Sequence, residues 1–299
     1  MTDNTINVEH EQLVASRISI WGAIILFLIS AVIGVAVDSI TLILDASASL
    51  VILAAALITN FSLKRIHRPP DELYNFGYSK YEPFTGSLQG SLIIATSVVS
   101  VWFAIQDIIH AESVTNYLVP VIGSLISGFL GLFIFISIKI AAKRTKSTML
   151  ELSSSHWYLD TLLSFSICLG FLLGLILEHL GYPQASPYID PVMAIILALL
   201  LVRLPFKNLV NNVRELLDAV PGEHIRAKVK KVVDVYTPKS FGVHRMRIRK
   251  AGVKVFLDIC FIVKGNLTVV EIRELAINFE KDLRAHLENC DVVVYFHPA

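Results

Sequence analysis

Two pairs of polar side chains lie inside long apolar stretches of this chain. Asp45 and Ser49 occur in LILDASASL, and His156 and Asp160 occur in SSSHWYLD. Each pair has i, i+4 spacing, so both side chains of a pair project from one face of a helix. A divalent metal ion is the simplest object that two carboxylates and an imidazole could share, and Zn²⁺, Fe²⁺, Mn²⁺ and Co²⁺ suit such ligands.

An alternative is that Asp45 and Asp160 hydrogen-bond to neighbouring hydroxyl groups and that His156 only packs between helices. That alternative would be favoured in a soluble core. In a membrane, an ionisable residue indicates function by default because its burial is costly without a purpose. The spacing therefore predicts a metal or proton site, with His156 and Asp160 as the groups that exchange protons.

The composition places the chain in a membrane. Hydrophobic residues make up 54% and charged residues 17% of the 299 residues, and the mean hydropathy is +0.63. A soluble domain carries about 25% charged residues. Crossing a bilayer takes about 20 apolar residues. Six stretches are long enough, and they lie at 14–36, 39–63, 84–108, 117–139, 148–177 and 189–206.

The loop charges predict the orientation. Lys and Arg follow the second, fourth and sixth stretches, whereas the connections around Asp38, Glu112 and Glu178 contain neither. The positive-inside rule then puts both termini in the cytoplasm. The polar, acidic start does not read as a signal peptide. Short loops favour a bacterial inner membrane, and three unclustered cysteines fit a reducing compartment.

The composition changes near residue 208. The segment from there to residue 299 is less than a third of the chain but holds about half of its charged residues. We therefore predict a cytoplasmic N-terminal segment, a transmembrane domain and a cytoplasmic α+β domain for regulation and dimerisation. Their boundaries are 1–13, 14–207 and 208–299.

The predicted tail has the order α-β-β-α-β, a compact two-layer arrangement. The turn Ala251-Gly252 separates the first two strands, and Thr268 with Glu271 has the spacing of a capping box. The predicted helices are 222–236 and 268–288, and the predicted strands are 242–250, 253–263 and 292–296.

Several motifs in order resemble the cation diffusion facilitator family of divalent-metal/proton antiporters. They include the two polar pairs, FGYSKYEPFTGSL, YIDPVMAIILALL, ELLDAVP, GVHRMRIRKAG, GNLTVVEIRELA and VVVYFHP. The resemblance implies six membrane helices, a ferredoxin-like, metallochaperone-like tail and a homodimer. It also implies efflux of a divalent cation in exchange for protons by alternating access. Zn²⁺ is the favoured substrate, with Fe²⁺, Mn²⁺, Co²⁺ or Cd²⁺ as alternatives.

The chain departs from the family in its transport site. The family usually has an aspartate where this chain has Ser49, so the resemblance transfers Asp45, His156 and Asp160 as ligands but not the fourth. A serine hydroxyl is a poor ligand for Zn²⁺, although a weak or water-bridged contact is feasible. Either the selectivity is altered or transport is impaired.

Further departures lie in the loop 68–83 and in the tail. Tyr74 and Tyr78 stand where some members carry histidines, which argues against a metal site in that loop. His244, Cys260 and His297 could still form a small N/S site in the tail. The favoured alternative is that Cys260 is a strand residue of the core and His297 part of a frayed terminus.

Other classes of function are also considered. A non-transporting metal sensor or a heterodimer partner would explain the missing aspartate, and an acid restored at position 49 would discriminate it. An intramembrane hydrolase would need a metal-activated water, but the chain shows neither an HExxH pattern nor a further nucleophile–base pair. No basic tract indicates a nucleic-acid partner. We therefore predict a transporter and not an enzyme.

Overall fold

The structure, a computed structural model, describes residues 2–36, 40–110, 118–180, 186–237, 242–287 and 289–299. Its helices are α1 (Thr2–Ala36), α2 (Ile40–Ile66), α3 (Tyr81–Ile109), α4 (Leu118–Thr145), α5 (Thr148–His179), α6 (Ser186–Leu201), α7 (Arg203–Leu216), α8 (Glu223–Tyr236) and α9 (Val269–His286). Its strands are β1 (Gly242–Ala251), β2 (Lys254–Val263) and β3 (Cys290–Pro298).

Helices α1 to α6 form the apolar bundle. Within the described residues, five helices are long and apolar enough to cross a bilayer, namely Asn7–Val32, Ser49–Ile66, Tyr81–Ile109, Val121–Thr145 and Thr148–Leu177. Helix α6 is apolar and has 16 residues. The predicted fold class is confirmed, because a helical membrane domain precedes a small α+β domain.

Helix α1 begins well before residue 14, where the first apolar stretch was predicted to start. The extra turns are polar, but Glu and Gln are good helix formers. They are also held by neighbours, since Gln12 Oε1 lies 2.8 Å from His67 Nε2 and Glu11 lies 3.7 Å from Arg144. Polarity therefore marks the end of the membrane span and not the end of the helix.

The sixth predicted stretch, 189–206, is divided between α6 and α7. Pro205 lies in the first turn of α7. It has no backbone N–H to donate to the carbonyl four residues earlier, which interrupts the helix. Helix α7 then packs closely on α3, where the backbone of Gly90 lies beside Leu209 and the carbonyl oxygen of Pro205.

The C-terminal domain is a three-stranded sheet covered on one face by α8 and α9. Strand β2 is central, antiparallel to β1 and parallel to β3. Its side chains Leu257, Ile259 and Phe261 alternate into a core with Phe279 and Leu283 of α9. The residues between them face away from the helices.

Local signals in the tail were read correctly. Thr268 is the N-cap of α9, and it forms the predicted capping box with Glu271. Gly252 has φ +61 in the β1–β2 turn. On the outer face of β2, Phe256 is also buried, because it packs against Phe76 with ring centroids 6.1 Å apart.

Candidate metal site

The first polar pair lies on α2. Ser49 is 4% exposed, so its hydroxyl is removed from lipid and water. The backbone of Asp45 is part of the same helix, one turn earlier. The side chain of Asp45 lies outside the described part of the structure. Because α2 is helical through both positions, the two residues share one face as predicted.

The second pair lies on α5, where both His156 and Asp160 are half-buried. Trp157 lies between them in the sequence and was not among the predicted site residues. It is 1% exposed, and its Nε1–H group donates to Ser19 Oγ of α1 at 2.7 Å. Thr161 Oγ1 donates to the Trp157 carbonyl oxygen at 2.7 Å. Because the Trp157–Ser19 bond crosses to α1, it restrains the rotation of α5 about its axis and hence the direction in which the polar pair projects.

Gly131 of α4 allows α5 to come close beside the polar pair. A Cβ atom at this position would lie 2.8 Å from Thr161 Oγ1 and 3.8 Å from Asp160 Oδ2. Small residues at helix contacts let backbones approach in membranes. Gly131 therefore makes room for a predicted ligand.

A polar network joins α2 to α3. Thr85 Oγ1 donates to Ser62 Oγ at 2.5 Å, and Gln89 Nε2 donates to Thr59 Oγ1 and, at 3.3 Å, to the Ala55 carbonyl oxygen. Gln89 is 2% exposed, so its side chain points into the bundle. Helix α3 is therefore tied to the helix that carries Asp45 and Ser49.

The four residues Asp45, Ser49, His156 and Asp160 are called the membrane site below. Helices α2 and α5, which carry them, are in contact with each other. Among the side chains that the structure describes, no three of His, Cys, Asp or Glu lie together as a metal-binding group. Since the Asp45 side chain is outside that set, convergence of the membrane site stays a prediction.

The loop after α2 is closed by a hydrogen bond between side chains. Tyr78 Oη donates to Asp71 Oδ2 at 2.5 Å, and the backbone N–H groups of Leu73 and Tyr74 donate to Asp71 Oδ1 at 3.1 and 2.7 Å. The Tyr78 hydroxyl and the Tyr74 N–H hold the pKa of Asp71 below its usual value. The bond to Asp71 raises the pKa of Tyr78. The Asp71 carboxylate therefore accepts the hydrogen bonds that close this loop.

His244, Cys260 and His297, called the sheet-face cluster below, lie at one end of the outer face of the sheet. The rings of His244 and His297 are stacked, with centroids 5.0 Å apart and an interplanar angle of 23°. Cys260 is flanked by Arg245 on β1 and Tyr295 on β3, while His297 lies opposite Ile262. Two of the three predicted ligands therefore meet, and an arginine is paired in register with the third.

This architecture defines an integral membrane protein with ionisable groups inside its bundle and a small α+β domain outside it. The family description "cation efflux transmembrane domain" matches residues 16–217, and "cation efflux protein, cytoplasmic domain" matches residues 220–299. The chain therefore belongs to the cation diffusion facilitator family, as its motifs predicted.

Curated relatives agree with this membership. The cation-efflux pump FieF of Shewanella oneidensis is 24% identical over 244 residues, which cover 82% of this chain and 79% of the relative. An uncharacterized transporter of Methanocaldococcus jannaschii is 25% identical over 274 residues, 92% of this chain and 93% of the relative. The FieF pump of Klebsiella pneumoniae is 23% identical over 251 residues, 84% and 81% of the two chains. All three relatives are named as pumps or transporters.

Proposed function

We propose that this protein exports a divalent transition-metal cation from the cytoplasm in exchange for protons, by alternating access at the membrane site. Asp45, His156 and Asp160 are the ligands, and Ser49 adds at most a weak or water-bridged contact. Two carboxylates balance the charge of the ion. The observation that carries the proposal is the pairing of a buried polar face on α2 with an anchored His-x-x-x-Asp face on α5, its contacting neighbour.

Proton exchange follows from competition for the same atoms. A ligand must be deprotonated to bind a metal, so metal binding displaces protons and protonation releases the metal. Among the ligand side chains proposed here, the imidazole of histidine has the ordinary pKa that lies nearest to neutral pH. His156 is therefore the principal proton carrier, with Asp160 beside it, one turn away on the same helix. Asp45 supplies charge and holds the ion.

Zn²⁺ is the favoured substrate because imidazole and carboxylate suit it and because it needs only four ligands. The hydroxyl at position 49 weakens a strictly tetrahedral site, and so Fe²⁺, Mn²⁺, Co²⁺ and Cd²⁺ stay as alternatives. The membrane site carries no thiolate, since the described cysteines lie elsewhere in the chain.

The assembly is a homodimer in a bacterial inner membrane, with both termini in the cytoplasm. The basic loops after α2 and α4 support this orientation, and a match to a cytoplasmic domain description supports it for the tail. The N-terminal segment, the transmembrane domain and the cytoplasmic domain keep the boundaries predicted from the sequence, 1–13, 14–207 and 208–299. The sheet-face cluster is at most a weak metal site, because Arg245 opposes a cation beside Cys260.

The second candidate is a metal-sensing or heterodimer partner subunit that does not transport. Ser49 favours it, since a family aspartate is missing at a buried position. In that case Ser49→Asp creates flux in a chain that has none. If the wild-type protein already transports, the partner-subunit function is excluded.

Metal flux into proteoliposomes under a pH gradient tests the proposal. We expect His156→Ala and Asp160→Asn to abolish pH-driven flux. His179→Ala is the matched control, because this histidine is exposed in the last turn of the same helix. Unchanged flux in both site variants would overturn the proposal.

A further inference from the structure

The β1–β2 turn of the C-terminal domain is seated against the membrane domain. Gly252 has φ +61, which L side chains rarely adopt. A Cβ atom there would collide with Glu82 Oε2 and lie 2.9 Å from the carbonyl oxygen of Ser79. The absence of a side chain is what lets the turn approach the start of α3 so closely.

Two carboxylates hold this turn from different helices. Glu215 of α7 accepts from the Gly252 N–H at 2.6 Å and pairs with Lys250 Nζ at 3.2 Å. Glu82 of α3 lies against the same turn, since a Cβ atom at Gly252 would overlap its Oε2 atom. Bonds to ionised acceptors are stronger than neutral ones. The turn is therefore tied to both α3 and α7.

Helices α3 and α7 are themselves packed without space between them. Gly86 faces the side chain of Asn212, which leaves no room for a Cβ atom. Gly90 would place its Cβ 3.1 Å from Leu209 Cβ. Close-packed elements shift together rather than deform. The turn, α3 and α7 consequently form one mechanical unit.

Glu82 also connects this unit to α5. Thr148, the first residue of α5, donates its hydroxyl to Glu82 Oε1. Helix α5 otherwise packs chiefly along α4 and only slightly on α3. His156 lies eight residues beyond Thr148, which is about 12 Å along the helix. A shift of the first turn of α5 is thus transmitted to the membrane site.

We infer that Glu82 is a positioning residue that couples the C-terminal domain to α5. It holds Thr148 and the β1–β2 turn on one carboxylate, so a displacement of the turn changes the position of α5 and hence of His156 and Asp160. Glu82 acts through α5 and does not touch the cation. The inference rests on the proposed transport function for its consequence, but the coupling itself is a property of the structure.

Substitutions at Thr148 test the coupling without changing any ligand. Thr148→Val removes the hydroxyl at nearly constant volume, and Thr148→Ser keeps it. Thr145→Val is a matched control, since the Thr145 hydroxyl bonds only within α4, to the Ala141 carbonyl oxygen at 2.7 Å. Three quantities are measured: the maximal flux, the equilibrium metal affinity in detergent, and amide hydrogen exchange at residues 148–151 and 251–253.

We expect Thr148→Val to lower the maximal flux about ten-fold, the effect of losing one hydrogen bond to a charged acceptor, with unchanged metal affinity. Thr148→Ser and Thr145→Val should match the wild type. Exchange should rise at both segments in Thr148→Val alone. If exchange at 251–253 is unchanged, or if metal affinity falls as much as flux, the coupling is refuted. A wild type without flux would refute the transport function instead, and the exchange data would still decide the coupling.

Discussion

The membrane site and the sheet-face cluster use similar residue types in opposite surroundings. Beside His156 and Asp160, the bond of Trp157 to Ser19 anchors α5, and Gly131 lets α4 come close to it. His244 and His297 are exposed, and arginines alternate along the adjoining strand. Ligand atoms alone therefore do not make a metal site. Enclosure and the sign of the nearby charge decide whether a cation replaces water and protons at those atoms.

The largest change should come from adding the missing charge to the membrane site. Ser49→Asp places a third carboxylate on the buried face of α2, and a further opposite charge in a partly buried site is strongly attractive to a cation. We expect metal affinity to rise at least about ten-fold. Calorimetric titration of the purified protein measures it, with Ser47→Asp, two residues away on the helix, as the control. Equal affinities in both variants would show that α2 does not face the ion.

Filling the space beside Asp160 should break the enclosure. Gly131→Val forces α4 and α5 apart, because the Cβ atom of any side chain at this position would lie 2.8 Å from Thr161 Oγ1. Overpacking of this kind costs about 1–3 kcal/mol, and metal affinity should fall with it. Thermal unfolding and titration measure the two effects. Gly123→Val is the control, since a Cβ at Gly123 meets nothing within 4 Å. Identical melting and affinity would contradict the close approach.

Removing the positive charge of Arg245 should strengthen metal binding at the sheet-face cluster. Arg245→Ser removes the positive charge of the residue that pairs in register with Cys260. The sheet-face cluster should therefore gain metal affinity about three-fold, as expected for an exposed charge worth under 1 kcal/mol. Difference titration against a His244→Ala, His297→Ala protein isolates this site. Flux should be unchanged in that double variant. A large loss of flux would mean that the cluster, and not only the membrane site, binds the transported ion.

The smallest effect should be a pH-dependent loss of order in the loop between α2 and α3, which Asp71 and Tyr78 close. The pKa of Asp71 is below its usual value because Tyr78 and backbone N–H groups favour the ionised form. Its contribution to loop order is present above pH ~4, the usual carboxyl range, and is lost as the pH falls through the lowered pKa. Tyr78→Phe should move the loss to higher pH. Hydrogen exchange at residues 71–78, corrected for intrinsic rates, measures it, and an unshifted midpoint would contradict the bond.

Much of this fold could be predicted from local patterns. The capping box of Thr268 and the turn at Gly252 depend on neighbouring residues only, and both were found where predicted. The start of the first apolar stretch did not indicate where α1 begins, because a helix can continue past the membrane where its polar residues find partners, as Gln12 does with His67.

The supports of the candidate site were less accessible to prediction. Helical spacing tells which residues share a face but not which helix lies opposite. The contact of Trp157 with Ser19 and the clearance at Gly131 depend on how α5 packs against α1 and α4. The tryptophan next to His156 was the available signal. The coupling through Glu82 joins three distant parts of the chain, and no local pattern marks it.

Proton release on metal binding tests the central claim most directly. Titration calorimetry of the purified protein in buffers with different ionisation enthalpies counts the protons released for each metal ion bound. Wild-type protein should release protons near neutral pH, and His156→Ala should bind more weakly and release fewer. Equal affinity and equal proton release in the two proteins would contradict competition between the cation and protons at the membrane site.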